Sequence, residues 1–419
     1  MENIGFYQGN ILLPRKDFSA WSVVACDQFT SQPEYWQEVE RQVSGRPSAY
    51  EIIFPEAYLE RINFDDKIAS INQTMEKYWK DGIFEEYPDC MIYTERTLKN
   101  GKVRKGIVGL LDLEQYDYQK GSSSLVRATE GTILDRLPPR IKIRQNALLE
   151  SPHIMILIDD EQKNIVEPLH QVMEQRRKLY DFSLMQDGGH IAGYLLNAED
   201  IQRITEELCK LADPQHFQVK YDVQGVSPLV FAVGDGNHSL ATAKRCYDQV
   251  KETLPLEEAL RHPARYALVE LNNLHDDSLE FEAIHRVIFE VEPQQFLKEL
   301  REYCRSAQGE YGEQQFTVII HGEEIPCSIP HSEHTLTIGS VQKFLDQYLS
   351  QHGGKVDYIH GEDVVKALSK KGAVGILVPC MEKSDLFRTV ILEGALPRKT
   401  FSMGEANDKR YYLECRKIR

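Results

Sequence analysis

Cationic residues are scarce in this 419-residue chain: 49 Lys and Arg against 65 Asp and Glu leave a formal net charge of −16. An acidic surface repels phosphate backbones, which excludes nucleic-acid binding through the surface at large but leaves room for one local basic pocket. Long apolar runs are missing as well. No stretch approaches the roughly 20 uninterrupted apolar residues that a membrane span requires. The start, Met1-Glu2-Asn3-Ile4-Gly5, carries an acid where a signal peptide would carry an apolar core. The eight cysteines stand singly, with no CxxC pair and no Cys/His ligand spacing. That argues against a disulfide framework or a zinc site and fits free thiols in a reducing cytoplasm. What is present is ordinary globular composition, 42% apolar and 27% charged, in a chain long enough for two or three structural units.

Residues 32–43 and 55–83 read as helical, the latter interrupted by polar turns. Residues 90–98 are rich in strand formers, and Asn100-Gly101 is the favoured pair for a tight two-residue hairpin turn into a return strand at 103–113. Gly121-Ser122-Ser123-Ser124 resembles a joint, so the expected segments are an N-terminal α+β region (1–120), a central α/β core (121–291) and a C-terminal α+β region (292–419). In the centre, apolar strands at 153–158, 228–233 and 265–271 alternate with helical spacing at 165–180. A helix also follows Asn197, with Ile201, Ile204, Leu208 and Leu211 on one stripe. The expected fold class is mixed α/β, or α+β.

The most informative segment runs from Pro228 through Val233 into Gly234-Asp235-Gly236-Asn237-His238-Ser239 and on into a good helix former sequence, Leu240–Arg245. Gly234 and Gly236 allow positive φ and close approach of the backbone to a ligand. The turn's N–H groups and the helix dipole would face an anion. The segment is neither a Walker loop nor a dinucleotide fingerprint. Two readings stand: an anion cradle, or a capping turn in which Asp235 and His238 satisfy local backbone groups. A second segment, 125–144, gathers Arg127, Arg136, Arg140, Lys142 and Arg144 against Glu130 and Asp135, a basic island suited to an anionic small ligand or to a salt-bridged helix face. A third cluster, His275, Asp276, Glu282 and His285, follows a buried strand. Smaller ones are Asp27 after an apolar strand at 21–25, and Arg398-Lys399.

In order and spacing these segments resemble the bacterial family catalogued as domain of unknown function 1015. The resemblance rests on Val23-Val24-Ala25 with Asp27, on Arg127, Glu130 and Thr132 with Asp135-Arg136-Leu137, and on Asp235–His238. It also takes in the loop ending in His285-Arg286, and Pro397-Arg398-Lys399-Thr400. The family's usual loop is Asp-Gly-His-His-Arg; here the first His and the Arg are replaced by Asn237 and Ser239. The loop is also similar to the nucleotide-phosphate loop of the ParB/sulfiredoxin-like fold, especially that of archaeal ADP-dependent free-serine kinases.

The resemblance implies a ParB/sulfiredoxin-like nucleotide-binding core with N- and C-terminal α+β extensions. It further implies phosphoryl transfer to a small hydroxylated metabolite, free L-serine first, or the reverse phosphoserine phosphatase reaction, with Mg2+ and ADP or ATP. Gly234, Gly236, Asn237 and Ser239 would cradle phosphates, Asp235 would position Mg2+ or the hydroxyl, and His238 would contact the transferred group. Asp27 is a candidate base, and Arg127, Arg136 and Arg398 are candidate charge stabilisers. Glu130, Thr132, His285 and Arg286 would bind the amino acid. The competing expectation is a non-catalytic nucleotide-dependent switch or metabolite sensor.

Overall fold

A computed structural model of the chain describes residues 4–59 and 63–419. Residues 1–3 and 60–62, the latter inside the helical stretch expected over 55–83, lie outside the described residues. The fold is mixed α+β, and the chain divides into two units: residues 1–279 with 405–419, and residues 280–404.

The first unit is built on a ten-stranded mixed sheet. Its order is Arg177–Ser183, His190–Leu195, Ile92–Thr97, Val103–Asp112, Tyr266–Asn273, Met155–Ile158, Phe231–Asp235, Val126–Ala128, Tyr116–Asp117, with Phe6–Tyr7 paired to Val103–Asp112. Met155–Ile158 runs parallel to Tyr266–Asn273 and antiparallel to Phe231–Asp235, which in turn runs parallel to Val126–Ala128. Alternation along the strands feeds two cores. Ile107, Leu111, Val269 and Leu271 join one cluster with Phe231, Val233, Leu240 and Tyr247. Val108, Leu110 and Leu268 join the other, with Trp21, Trp36 and the terminal residues Tyr411–Leu413. Side chains two apart share a face of the sheet, so these are its two sides. The sheet continues through the expected joint at 121–124, with Tyr116–Asp117 and Val126–Ala128 as neighbouring parallel strands.

Several expected elements form as read. The helices Pro33–Val43 and Ala198–Ala212 are present, the latter opened by a capping box between Asn197 and Asp200. The hairpin pairs Ile92–Thr97 with Val103–Asp112, but its connection is longer than a two-residue turn. Leu98 N–H bonds Lys102 O at 2.8 Å, and only Gly101 has positive φ. Residues 165–180 are not a helix: two short 3-10 turns (Glu167–Gln171, Met173–Gln175) lead into the edge strand Arg177–Ser183. Pro168 explains the break, since it cannot donate an intrahelical hydrogen bond.

The second unit carries a six-stranded sheet in the order Glu323–Ile329, Gln314–Ile320, Val374–Leu377, Phe281–Phe289, Lys355–His360, with Phe401–Met403 paired to Phe281–Phe289. The helices Pro293–Ser306, Thr337–His352, Glu362–Ser369 and Lys383–Glu393 complete it.

Candidate functional site

Phe231–Asp235 is a strand because its first three residues are wholly apolar and bury between two neighbours. It ends where Gly236 adopts the left-handed conformation, φ 80°, and the helix Asn237–Thr253 begins at once. Glycine is required there on two counts. The backbone region is strained for other residues, and a Cβ would stand 3.1 Å from both the Cα and the Cγ1 of Ile154. Gly234 lies within the strand and does not share the positive φ. The helix starts with no side-chain cap and no acidic residue in its first turn. The positive end of its dipole at Gly236 is therefore not offset by an acidic side chain of the helix's own first turn.

The side chains around this turn are fixed by its neighbours. Asp235 accepts its own following N–H, from Gly236, at 2.9 Å through one oxygen, and its other oxygen faces Lys409 Nζ at 3.4 Å. Asn237 accepts from Thr129 N–H at 3.2 Å, and Thr129 in turn donates to Val233 O at 2.6 Å. His238 Nε2 accepts from Ile133 N–H at 3.4 Å. Ser239 Oγ stands 3.5 Å from His153 Nε2, and Asp27 Oδ2 stands 3.7 Å from the same nitrogen.

The last segment of the chain binds these parts together. Tyr411 and Tyr412 pair with Val24 and Val23, the strand that leads into Asp27. The Tyr412 hydroxyl accepts from Cys26 N–H at 3.2 Å and lies 2.8 Å from His153 Nδ1. Burial pushes the Asp27 carboxyl up, but the charge of His153, the Gln28 amide and Lys409 outweigh it and hold the group below its ordinary value. Asp27 is thus an ionised carboxylate at neutral pH. Cys26 beside it is no nucleophile: burial, with Asp27 and Glu56 adding, drives its thiol up to about 12. A cavity of about 160 Å3 opens here, with Cys26, Glu56, Arg140, His153, Ser239 and Tyr412 on its lining.

The remaining sequence candidates lie as follows. Arg127 is 4% exposed, and its guanidinium donates to Ser124 O (2.8 Å) and Ser227 O (2.7 Å), so its hydrogen-bonding capacity goes to the backbone. Burial lowers its pKa to about 10. Arg136 is exposed on the 3-10 turn Leu134–Arg136. Glu130 is half-buried, and Thr132 Oγ1 is a buried hydroxyl oxygen without a hydrogen-bond partner among the described residues.

His285, Arg286 and Arg398 belong to the second unit. His285, its pKa lowered by burial, accepts from Val378 N–H at 3.3 Å. Arg286, fully buried, donates to Arg398 O (2.8 Å) and Lys399 O (3.0 Å), and Arg398 pairs with Asp346.

Sequence reasoning missed His153, Lys409 and Tyr412. No local pattern marks them; only the sheet pairing brings them to the turn.

Mg2+ ordinarily takes one or two protein carboxylates and fills its other positions with phosphate and water. Asp235, with Asp27 in the same Lys409 field, fits that donor set. Among the described residues one group of three side chains could surround an ion: Asp159, Glu161 and His275. It lies past the far end of Met155–Ile158, whereas Asp235 neighbours Met155 at the near end. There His275 (2.6 Å) and Lys220 (2.9 Å) contact the two oxygens of Asp159, as Gly236 N–H and Lys409 contact those of Asp235. No described helix is long and apolar enough to cross a membrane.

These features define a mixed α+β protein whose larger unit presents a strand, a glycine turn and an uncapped helix, with two carboxylates and a lysine beside them. The chain belongs to the family described as protein of unknown function (DUF1015), whose model matches residues 9–348. No curated protein matches it. Two solved structures are similar to it. One is a mutant free serine kinase in complex with ADP, 12% identical, covering 74% of this chain and 92% of that one at a TM-score of 0.36. The other is a conserved hypothetical protein from Pyrococcus furiosus, also 12% identical, covering 73% of this chain and 90% of that one at a TM-score of 0.32.

Proposed function

We propose that the protein is a phosphoryl-transfer enzyme that moves a phosphoryl group between a nucleotide and a small hydroxylated metabolite, free L-serine first among them. The observation that carries this reading is the uncapped helix start at Gly236 with Asp235, Lys409 and the Asp27–His153 pair alongside. Such transfer requires mainly positioning and charge neutralisation, and these residues supply both. The N–H groups of residues 237–239 bind phosphate oxygens, and Lys409 neutralises charge in the role first assigned to the arginines. Asp27, ionised and hydrogen-bonding distance from no other carboxylate among the described residues, accepts the acceptor's proton.

In the forward direction the acceptor oxygen bonds to phosphorus, the P–O bond to the rest of the nucleotide breaks, and the hydroxyl proton passes to Asp27. The same groups catalyse the reverse reaction. Asp235 would hold Mg2+, which would supply charge neutralisation at the phosphate oxygens. Arg127, His285, Arg286 and Arg398 are left out of this scheme because each is engaged within its own unit.

The reading is tested by turnover of two variants. Asp235→Asn should abolish turnover with thermal unfolding nearly unchanged. Lys409→Met should lower it at least about 100-fold, the loss typical of a removed transition-state charge contact. Full activity in both variants contradicts the proposal. Stoichiometric nucleotide binding without product in the wild type supports the sensor instead.

A further inference from the structure

The cavity beside Ser239 and His153 is left unexplained by phosphate binding. Its lining includes the apolar Ile52, Phe54, Met75 and Ile143, yet two ion pairs lie on it as well. Arg144–Glu150 is spoken for: Glu150 also accepts from Arg416 (2.9 Å) and from Leu268 N–H (2.9 Å). Glu56–Arg140 is different. Each side chain is 21% exposed, and the Glu56 carboxylate accepts from Arg140 alone among the described residues. Arg140 is held from behind by Arg136 O at 2.8 Å. Glu56 N–H bonds Cys26 O at 2.8 Å, which fixes this carboxylate next to the Asp27 turn.

A half-buried ion pair contributes little to stability, because desolvation offsets its attraction. As a recognition device it is well formed: opposite charges at a small apolar cavity complement a zwitterion. A carboxylate receives an ammonium, and a guanidinium grips a carboxylate in two parallel hydrogen bonds. The volume limits the guest to a few heavy atoms; Ser239 and His153 are on the lining, and Asp27 Oδ2 stands 3.7 Å from His153 Nε2.

Resting on the phosphoryl-transfer reading, we infer that Glu56 and Arg140 separate to hold the α-ammonium and α-carboxylate of a small hydroxylated amino acid whose hydroxyl faces Asp27 and His153. This assigns amino-acid recognition to residues other than Glu130, Thr132, His285 and Arg286.

The test is calorimetric titration of the full chain, without nucleotide, using L-serine, L-threonine, L-homoserine, serinamide (no carboxylate) and 3-hydroxypropionate (no ammonium). At least one of the three amino acids should bind, and each truncated analogue of serine should bind at least about tenfold more weakly. In Arg140→Gln the serinamide penalty should vanish, and in Glu56→Gln the 3-hydroxypropionate penalty should vanish. Where thermal unfolding shows either variant misfolded, Arg140→Lys and Glu56→Asp replace it, with the same penalties reduced. No binding by any of the three amino acids, or penalties unchanged in the folded variants, overturns the inference. A parallel nucleotide titration separates the two claims. Nucleotide binding without amino-acid binding removes only this inference, and the converse removes the phosphoryl-transfer reading.

Discussion

Two acids share the field of Lys409 and do different work. Asp235 lies 3.4 Å from the ammonium and spends its other oxygen on Gly236 N–H, so it is oriented by the turn itself. Asp27 is held below the ordinary carboxylate value, against the push of burial, by His153, Gln28 and Lys409. A depressed pKa keeps the charged form as pH falls from neutral. The stability it contributes is complete above the unfolded value, about 3.9, and disappears as pH falls through the folded value. Carbon NMR titration of the Asp27 carboxyl should therefore give a midpoint below about 3.9; a midpoint above it contradicts the assignment of an ionised base. Asp27→Asn should slow turnover by about 100- to 10,000-fold, the range for a lost general base.

At the scale of elements, the turn at Gly236 carries the most consequence. An alanine there must adopt φ near 80° and press a methyl against the Ile154 backbone at 3.1 Å. Gly236→Ala should destabilise the protein by about 1–3 kcal/mol in chemical denaturation and weaken nucleotide binding. An unaltered denaturation midpoint would contradict the geometry. This turn was legible in the sequence because strand, glycines and helix are contiguous, and each obeys a local rule. The Asn197 cap and the 92–112 hairpin were legible for the same reason. Residues 165–180 misled because Ile165, Leu169 and Met173 keep a helical four-residue spacing and are buried, while the backbone there makes only two short 3-10 turns. His153, Lys409 and Tyr412 were illegible for a different reason. Lys409 and Tyr412 reach the site through the pairing of Tyr411–Tyr412 with Val23–Val24, a contact spanning almost the whole chain, and His153 because the strand that follows it, Met155–Ile158, pairs with Phe231–Asp235.

At the scale of the molecule, the C-terminal segment belongs to the first of the two units. Residues 405–419 return to the first unit, where Tyr411, Tyr412, Leu413, Cys415 and Ile418 enter its core. Residues 280–404 form the second unit, and its two ends are paired strands, with Phe281 opposite Met403. Chain ends held side by side mark an inserted unit that can fold alone. Residues 280–404 expressed by themselves should give a dispersed amide NMR spectrum and a cooperative thermal transition; a collapsed spectrum would contradict that.

The central claim is that the bend after Val233 receives phosphate for transfer. Phosphorus NMR of the purified chain with Mg2+, ADP and ATP, and a pool of amino acids tests it most directly. The account predicts a new phosphoester resonance growing over many turnovers, or the loss of added phosphoserine, neither occurring with Asp235→Asn. Unchanged nucleotide and phosphoserine resonances after long incubation would contradict it.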